Sequence, residues 1–114
     1  MKFTVKQLFS IIDGRLSTEM IDVYEILNAA TGEQLMTHQL PVAMKYLGEV
    51  GPDWYVKAHE QLAEIKQKVG DDFQVLMRYI DEMLPHNYHE VIELTKDQRE
   101  GFGKYMVDNS LLLR

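Results

Sequence analysis

Apolar residues recur every three or four positions through most of the chain. This spacing places them on one face of an α-helix. The first such stripe consists of Val5, Leu8, Phe9 and Ile12. Thr4 is suited to cap this helix, and Asp13 and Gly14 are suited to end it. The pattern therefore predicts a helix at the beginning of the chain.

The same periodicity predicts four further helices. The second begins at Ser17 or Thr18 and closes at Thr31 and Gly32, the third is capped by Thr37, the fourth is opened by Pro52, and the fifth covers residues 72–84. The fourth has the most regular spacing, with a seam of Tyr55, Ala58, Leu62, Ile65 and Val69. A seam of this kind can pack against another helix of the same chain or against a second copy.

The region after Pro85 allows two interpretations. Asn87 and Glu90 have the spacing of a capping box, which favours a short helix, and Thr95 with Gln98 predicts a last helix in the same way. Residues 88–94 also suit a strand. We therefore predict a mainly α fold, a compact bundle of five to seven short helices. The alternative is an α+β fold, in which the N-terminus, residues 88–94 and the C-terminus form a small sheet.

The length of 114 residues fits a single domain, 1–114. No cysteine is present, which excludes disulfides, thiolate metal sites and thiol nucleophiles. Neither a secretory signal nor an apolar run long enough to cross a membrane occurs, so we expect no membrane contact and a cytoplasmic location.

The formal charge of −6 is unevenly distributed. Residues 71–100 hold eight acidic side chains and three basic ones, a balance of −5. The sequence shows no cluster of Lys and Arg of the kind that displaces counterions from phosphates, so direct nucleic-acid binding is not expected. The acidic residues that we single out as a candidate partner-binding face are Asp81, Glu82, Glu90 and Glu93.

Recognisable catalytic motifs are missing from the sequence. If residues 86–93 were helical, His86, His89 and Glu93 would share a face and could ligate a divalent metal. The order of these residues matches no zinc-hydrolase motif, and ordinary surface histidines are the simpler explanation. We therefore predict that the protein is not an enzyme, that it holds no metal and that it needs no cofactor. A metal-dependent enzyme remains the least favoured alternative.

The opening of the chain resembles a family of small proteins encoded by tailed phages and prophages. The resemblance covers residues 4–42 and is carried by VKQL at 5–8, DGRLST at 13–18, DVYEILN at 22–28 and THQLP at 37–41. It implies a phage accessory protein made inside a bacterium. Such proteins often act by binding and blocking a host or defence protein.

These observations favour a non-catalytic inhibitor that binds a bacterial protein or protein complex, for example a CRISPR effector. Besides the acidic face, the candidate contact residues are Trp54, Arg15 and His38, because aromatic side chains anchor interfaces and the other two lie at helix junctions. The alternative is a structural or regulatory phage protein that forms a homodimer through the seam of the fourth helix.

Overall fold

The computed structural model describes residues 1–109, and within that range the chain folds into six α-helices and a two-stranded antiparallel sheet. The elements are, in order, β1 (Lys2–Thr4), α1 (Val5–Ile12), α2 (Met20–Thr31), α3 (Leu40–Val50), α4 (Asp53–Val69), α5 (Phe73–Met83), β2 (Tyr88–Glu90) and α6 (Lys96–Asp108). A 3₁₀ turn, Thr37–Gln39, leads into α3. The prediction of a mainly α fold with five to seven helices is confirmed.

The helix predicted over residues 88–94 is wrong, because the beginning of this segment is β2. Strand β2 pairs with β1 from the opposite end of the chain, with Phe3 opposite His89. The pairing continues past the strands, since Val91 N donates to the carbonyl oxygen of Met1 at 2.8 Å. The small sheet of the alternative prediction is therefore present in part. Its third predicted segment, near the C-terminus, lies outside the described residues.

Helix α1 lies between two buried clusters and supplies side chains to both. Its Leu8 and Ile11 pack into a cluster built mainly from α2, α3 and α6. Its Val5 and Phe9 pack into a second cluster with residues of α4 and α5. A short helix can serve two clusters because five of its eight residues are buried. The end of α1 is thus fixed from two sides, which determines where the following loop begins.

Two helix starts differ from the prediction, and two of the expected capping hydroxyls, those of Ser17 and Thr37, are used elsewhere. Helix α2 begins at Met20, not directly after Ser17 or Thr18. The hydroxyl of Ser17 donates instead to the carbonyl oxygen of Lys6 on α1, so the residues after it remain a loop. Likewise Thr37 caps no helix, and its hydroxyl hydrogen-bonds to the phenol of Tyr24.

The seam of α4 faces the interior of this chain. Ala58, Leu62 and Ile65 are buried against neighbouring elements. Burial within the chain leaves these three side chains no surface to offer a second copy, which argues against the α4 seam as a homodimer face. Self-association itself stays a prediction. Among residues 1–109, no helix is both long enough and apolar enough to cross a membrane.

Candidate functional site

The loop between α1 and α2 sends its side chains to two different sides of the molecule. Asp13 and Arg15 point towards α4 and the start of α5, where they meet Lys66 and Asp71. Gly14 and Leu16 line a cavity on the side of α2 and α3. This alternation makes the loop the boundary between a charged site and an apolar one.

The charged site, which we call the charge cluster, consists of Asp13, Arg15, Lys66 and Asp71. Arg15 forms a two-pronged ion pair with Asp13, with Nε 2.6 Å from Oδ1 and Nη2 3.1 Å from Oδ2. Lys66 Nζ lies 2.6 Å from Asp13 Oδ2. Arg15 Nη2 reaches Asp71 Oδ1 at 2.7 Å. Two cations and two carboxylates thus neutralise one another.

The centre of the charge cluster is Asp13, whose side chain is 8% exposed. The hydrogen bond from Arg15 is the main cause that lowers its carboxyl pKa from 3.8 to about 2, and Lys66 lowers it further while burial opposes the shift. The same contacts raise the pKa values of Arg15 and Lys66. Asp13, Arg15 and Lys66 are therefore charged at neutral pH, and none of these three is poised to exchange a proton.

Two aromatic rings, those of Phe9 and Phe73, pack against Arg15 of the charge cluster. The guanidinium carbon of Arg15 lies 5.6 Å from the ring centre of Phe9 and 5.7 Å from that of Phe73. Cations attract the negative faces of aromatic rings at such distances. These contacts join the end of α1 to α4 and α5, which indicates a structural role for the charge cluster.

On the other side of the loop lies a cavity of about 510 Å³, which we call the apolar groove. The residues that line it are Ser10, Gly14, Leu16, Met20, Val23, Thr37, Leu40, Pro41 and Met44. Most of them are hydrophobic, and they come from the end of α1, the following loop and the first turns of α2 and α3. Binding sites for ligands and side chains commonly have this size and this apolar character.

Exposed large hydrophobic side chains either line the apolar groove or are next in the chain to residues that line it. Leu16 and Met20 belong to its lining, while Ile21 and Met36 are next in the chain to the lining residues Met20 and Thr37. The exposed fractions of these four side chains lie between 45% and 63%. Exposed apolar surface that gathers around a concavity is typical of interaction sites, whereas isolated exposed residues are ordinary.

The hydroxyl groups of Ser10 and Thr37 in the groove lining are already hydrogen-bonded within the chain. Ser10 Oγ accepts from the backbone N–H of Ser17 at 2.8 Å and also contacts the hydroxyl of Ser17. Thr37 is bonded to Tyr24. These hydroxyls hold the groove walls in place.

The four acidic residues that the sequence singled out do not form one free face. Asp81 pairs with Lys6 at 2.9 Å, Glu90 lies 3.7 Å from the N-terminal amine, and Glu93 lies 3.1 Å from Arg99. Only Glu82 lacks an ion pair within residues 1–109. Exposed pairs of this kind contribute little energy, and they leave less unbalanced negative charge for a partner.

The other candidate contact residues occupy three different places. Trp54 is buried in the core beside Tyr55, and its indole Nε1 has no hydrogen-bond partner within residues 1–109. Arg15 belongs to the charge cluster. His38 is exposed in the 3₁₀ turn that precedes α3.

The three residues of the metal alternative, His86, His89 and Glu93, are not brought together. His86 lies in the turn before β2, and His89 is in β2 itself, where its Nε2 contacts Gln61 Oε1 at 2.7 Å. Burial lowers the pKa of His89, with a smaller contribution from Lys57. No group of three potential metal ligands converges within the described part of the chain. The metal hypothesis failed because it required a helix where β2 lies.

A family model described as a domain of unknown function, DUF7736, matches residues 3–65, more than half of the 114 residues. The chain belongs to the DUF7736 family. No curated protein and no solved structure matches the chain. The DUF7736 match extends well beyond residues 4–42, over which the phage-protein resemblance was noted, and runs from β1 into α4.

The DUF7736 match includes the entire apolar groove, because all nine lining residues lie between Ser10 and Met44. It includes only half of the charge cluster, since Lys66 and Asp71 follow its last residue. The acidic residues from Asp81 to Glu93 also lie outside it. The DUF7736 segment therefore builds the apolar groove entirely from its own residues.

Sequence reasoning missed the groove because part of its lining lies outside the helical stripes. Leu16 falls in the loop between α1 and α2, and Thr37 belongs to the 3₁₀ turn. Apolar residues in loops between helices were the available signal. Such residues have no periodicity, so their pattern predicts neither burial nor exposure.

Proposed function

We propose that this protein is a non-catalytic binding protein that docks a partner protein in the apolar groove. The observation that carries the proposal is the group of half-exposed apolar side chains in and beside the groove, Leu16, Met20, Ile21 and Met36. Leaving such side chains in water is unfavourable by roughly 25 cal/mol for each Å² that a partner could cover.

A protein partner fits this surface better than a small molecule does. A small molecule would fill the cavity and touch Leu16 and Met20. Ile21 and Met36 do not line the cavity, so only a larger surface could cover them as well. Methionine side chains also adapt their shape to a partner, because they are unbranched and flexible.

The kind of partner that we propose is inferred from the sequence resemblance to phage proteins. A phage accessory protein would meet bacterial proteins, and blocking a host or defence protein, such as a CRISPR effector, is the form of activity that we propose for it. The acidic face of the original hypothesis is less suited to docking, because Asp81, Glu90 and Glu93 are paired within the chain.

The test is an affinity capture from bacterial lysate with matched surface variants. In Met20→Glu a charge replaces a groove side chain that is 45% exposed, and in the control Val75→Glu the same charge replaces a side chain on α5 that is 42% exposed. We expect one stoichiometric partner to bind the unchanged protein and Val75→Glu, and to be lost from Met20→Glu.

The comparison between the two variants decides the outcome. A partner retained by Met20→Glu would overturn the groove as the docking surface, and so would a partner lost from both variants. Light scattering on the unchanged protein measures its oligomeric state and so tests whether a second copy of the chain occupies the groove. A dimer that becomes a monomer in Met20→Glu, but not in Val75→Glu, would replace the proposed partner with self-association.

A further inference from the structure

The methionines of the chain differ in how far solvent reaches them. There are seven, all within residues 1–109. Three of them are partly buried and pack against the two core clusters, namely Met44, Met77 and Met106. The side chains of the other four are 45% to 65% exposed, namely Met1, Met20, Met36 and Met83. A dissolved oxidant reaches a thioether sulfur only where the side chain is exposed, so these four are the methionines open to oxidation.

Met20 is the one of these four that also lines the apolar groove. It is the first residue of α2. Met36 lies next in the chain to the lining residue Thr37, and Met83 ends α5 outside the lining. The second methionine of the lining, Met44, is partly buried. A chemical change confined to the sulfur of Met20 therefore alters the surface of the groove directly.

Oxidation of Met20 would make part of the groove polar. A methionine sulfoxide carries an S=O group, whose oxygen accepts hydrogen bonds. The two lining hydroxyls, those of Ser10 and Thr37, are already bonded within the chain. The apolar surface of a docked partner offers no donor either. Docking would then strip water from the S=O group and replace it with nothing, which opposes binding.

The fold, in contrast, has room for the sulfoxide. The side chain of Met20 is 45% exposed, and it belongs to neither core cluster nor to the residues packed against them. Water can therefore still reach a sulfoxide at this position in the free protein. Oxidation of Met20 should impair docking while leaving stability unchanged, which distinguishes it from damage to a buried methionine.

From this arrangement we infer that Met20 is a reversible oxidation site that closes the apolar groove to its partner, an inference that rests on the proposed function. The oxidant is hydrogen peroxide. A sulfur lone pair attacks one peroxide oxygen, the O–O bond breaks, and the other oxygen leaves as water. Methionine sulfoxide reductases restore the thioether. A dithiol supplies the two electrons and becomes a disulfide, and the sulfoxide oxygen leaves as water.

The experiment compares oxidised and unoxidised molecules in one sample. A brief peroxide treatment gives the full chain at most a single sulfoxide in most molecules, and the sample then competes for a limiting amount of the captured partner. Peptide mass spectrometry measures the sulfoxide at each methionine in the bound and unbound fractions. We expect Met20 sulfoxide to be enriched at least about tenfold in the unbound fraction. Met83 sulfoxide, the internal control, should be distributed equally.

Reversal and a variant test whether this sulfur is the cause. Incubation with both reductases, one for each sulfoxide epimer, should restore capture. Met20→Leu removes the sulfur and keeps an apolar side chain, so the ratio of its capture after and before peroxide should not fall. In the control Met83→Leu this ratio should fall as it does in the unchanged protein. Urea denaturation should give the same unfolding curve before and after the brief treatment.

Each other result overturns the inference or a stated part of it. Equal amounts of Met20 sulfoxide in the two fractions would show that oxidation leaves the groove open. Enrichment of Met36 sulfoxide alone would move the site away from Met20. Oxidation of Met83 without oxidation of Met20 would exclude Met20 as a modification site. Capture that the reductases fail to restore would overturn reversibility.

A neutral apolar dye, Nile red, separates failure of this inference from failure of the proposed function. No partner captured by the untreated protein would overturn the proposed function. Dye fluorescence that falls on oxidation of the unchanged protein, but not of Met20→Leu, would then still support closure of the groove by Met20 sulfoxide. Fluorescence that oxidation of Met20 leaves unchanged would overturn the inference.

Discussion

The two sides of the loop between α1 and α2 differ in whether their side chains find partners within the chain. On one side, Asp13 and Arg15 find opposite charges within 3.1 Å of their own polar atoms. On the other, Leu16 remains half exposed at a cavity that the chain leaves open. The charged side chains are therefore paired within the monomer, whereas the apolar side chain of Leu16 is left partly uncovered.

This difference separates a contribution to stability from a contribution to binding. Removing one member of a buried, paired set leaves the others without compensation, which destabilises the fold. Removing a half-exposed apolar side chain takes away little buried area. Substitutions three residues apart in one loop should therefore affect different properties, and this expectation can be tested.

The largest effect is expected for Asp13→Asn. The lowered pKa of Asp13 corresponds to about 2 kcal/mol, and the partial exposure of Arg15 and Lys66 reduces this value through solvent screening. We expect the free energy of unfolding to fall by about 1 to 2 kcal/mol at neutral pH, as measured by urea denaturation.

Asp71→Asn is the matched control for this loss. Asp71 belongs to the same charge cluster but is 71% exposed, against 8% for Asp13. Its removal should lower the free energy of unfolding by less than about 0.5 kcal/mol. Equal losses in the two variants would contradict the central position that we assign to Asp13.

The second prediction concerns how this contribution changes with pH. In the unfolded chain Asp13 protonates near 3.8, and in the folded chain near about 2. A lowered folded-state pKa gives stability that is fully present above the unfolded value and is lost as the pH falls through the folded value. The difference in unfolding free energy between the unchanged protein and Asp13→Asn should therefore be constant above about pH 5, fall to about a fifth of that value near pH 2 and vanish near pH 1. A difference that stayed at its full value near pH 2 would indicate that the substitution acts through packing rather than charge.

The helical architecture could be predicted because the interactions that define it are local. The capping box of Thr95 and Gln98 joins residues three apart, and the structure contains it. The similar pair Asn87 and Glu90 gave a wrong prediction, since β2 bonds to β1 at the far end of the chain. Local spacing carries no information about such a distant partner.

Gly101, in the correctly predicted helix α6, is a second case in which the local sequence carries no information about a distant partner. A glycine in a helix interior costs about 1 kcal/mol relative to alanine, and the sequence offers no compensation nearby. In the fold, a Cβ at this position would lie 2.6 Å from the phenol oxygen of Tyr46, which donates to the carbonyl oxygen of Gln98. The glycine thus lets α6 approach α3. The apolar groove was missed for a related reason, because its shape depends on three segments that meet only after folding.

The smallest effect on stability is expected for Leu16→Gln, and it completes the comparison between the two sides of the loop. Leu16 is half exposed, so the exchange should change the free energy of unfolding by no more than about 0.5 kcal/mol. The same exchange should weaken capture of the partner, because an amide in the apolar groove must give up water without gaining a hydrogen bond. Asp13→Asn should behave in the opposite way, with lower stability and unchanged capture. If Leu16→Gln instead destabilised the fold as much as Asp13→Asn does, the apolar side would be part of the core, and the argument for a partner at the groove would fail.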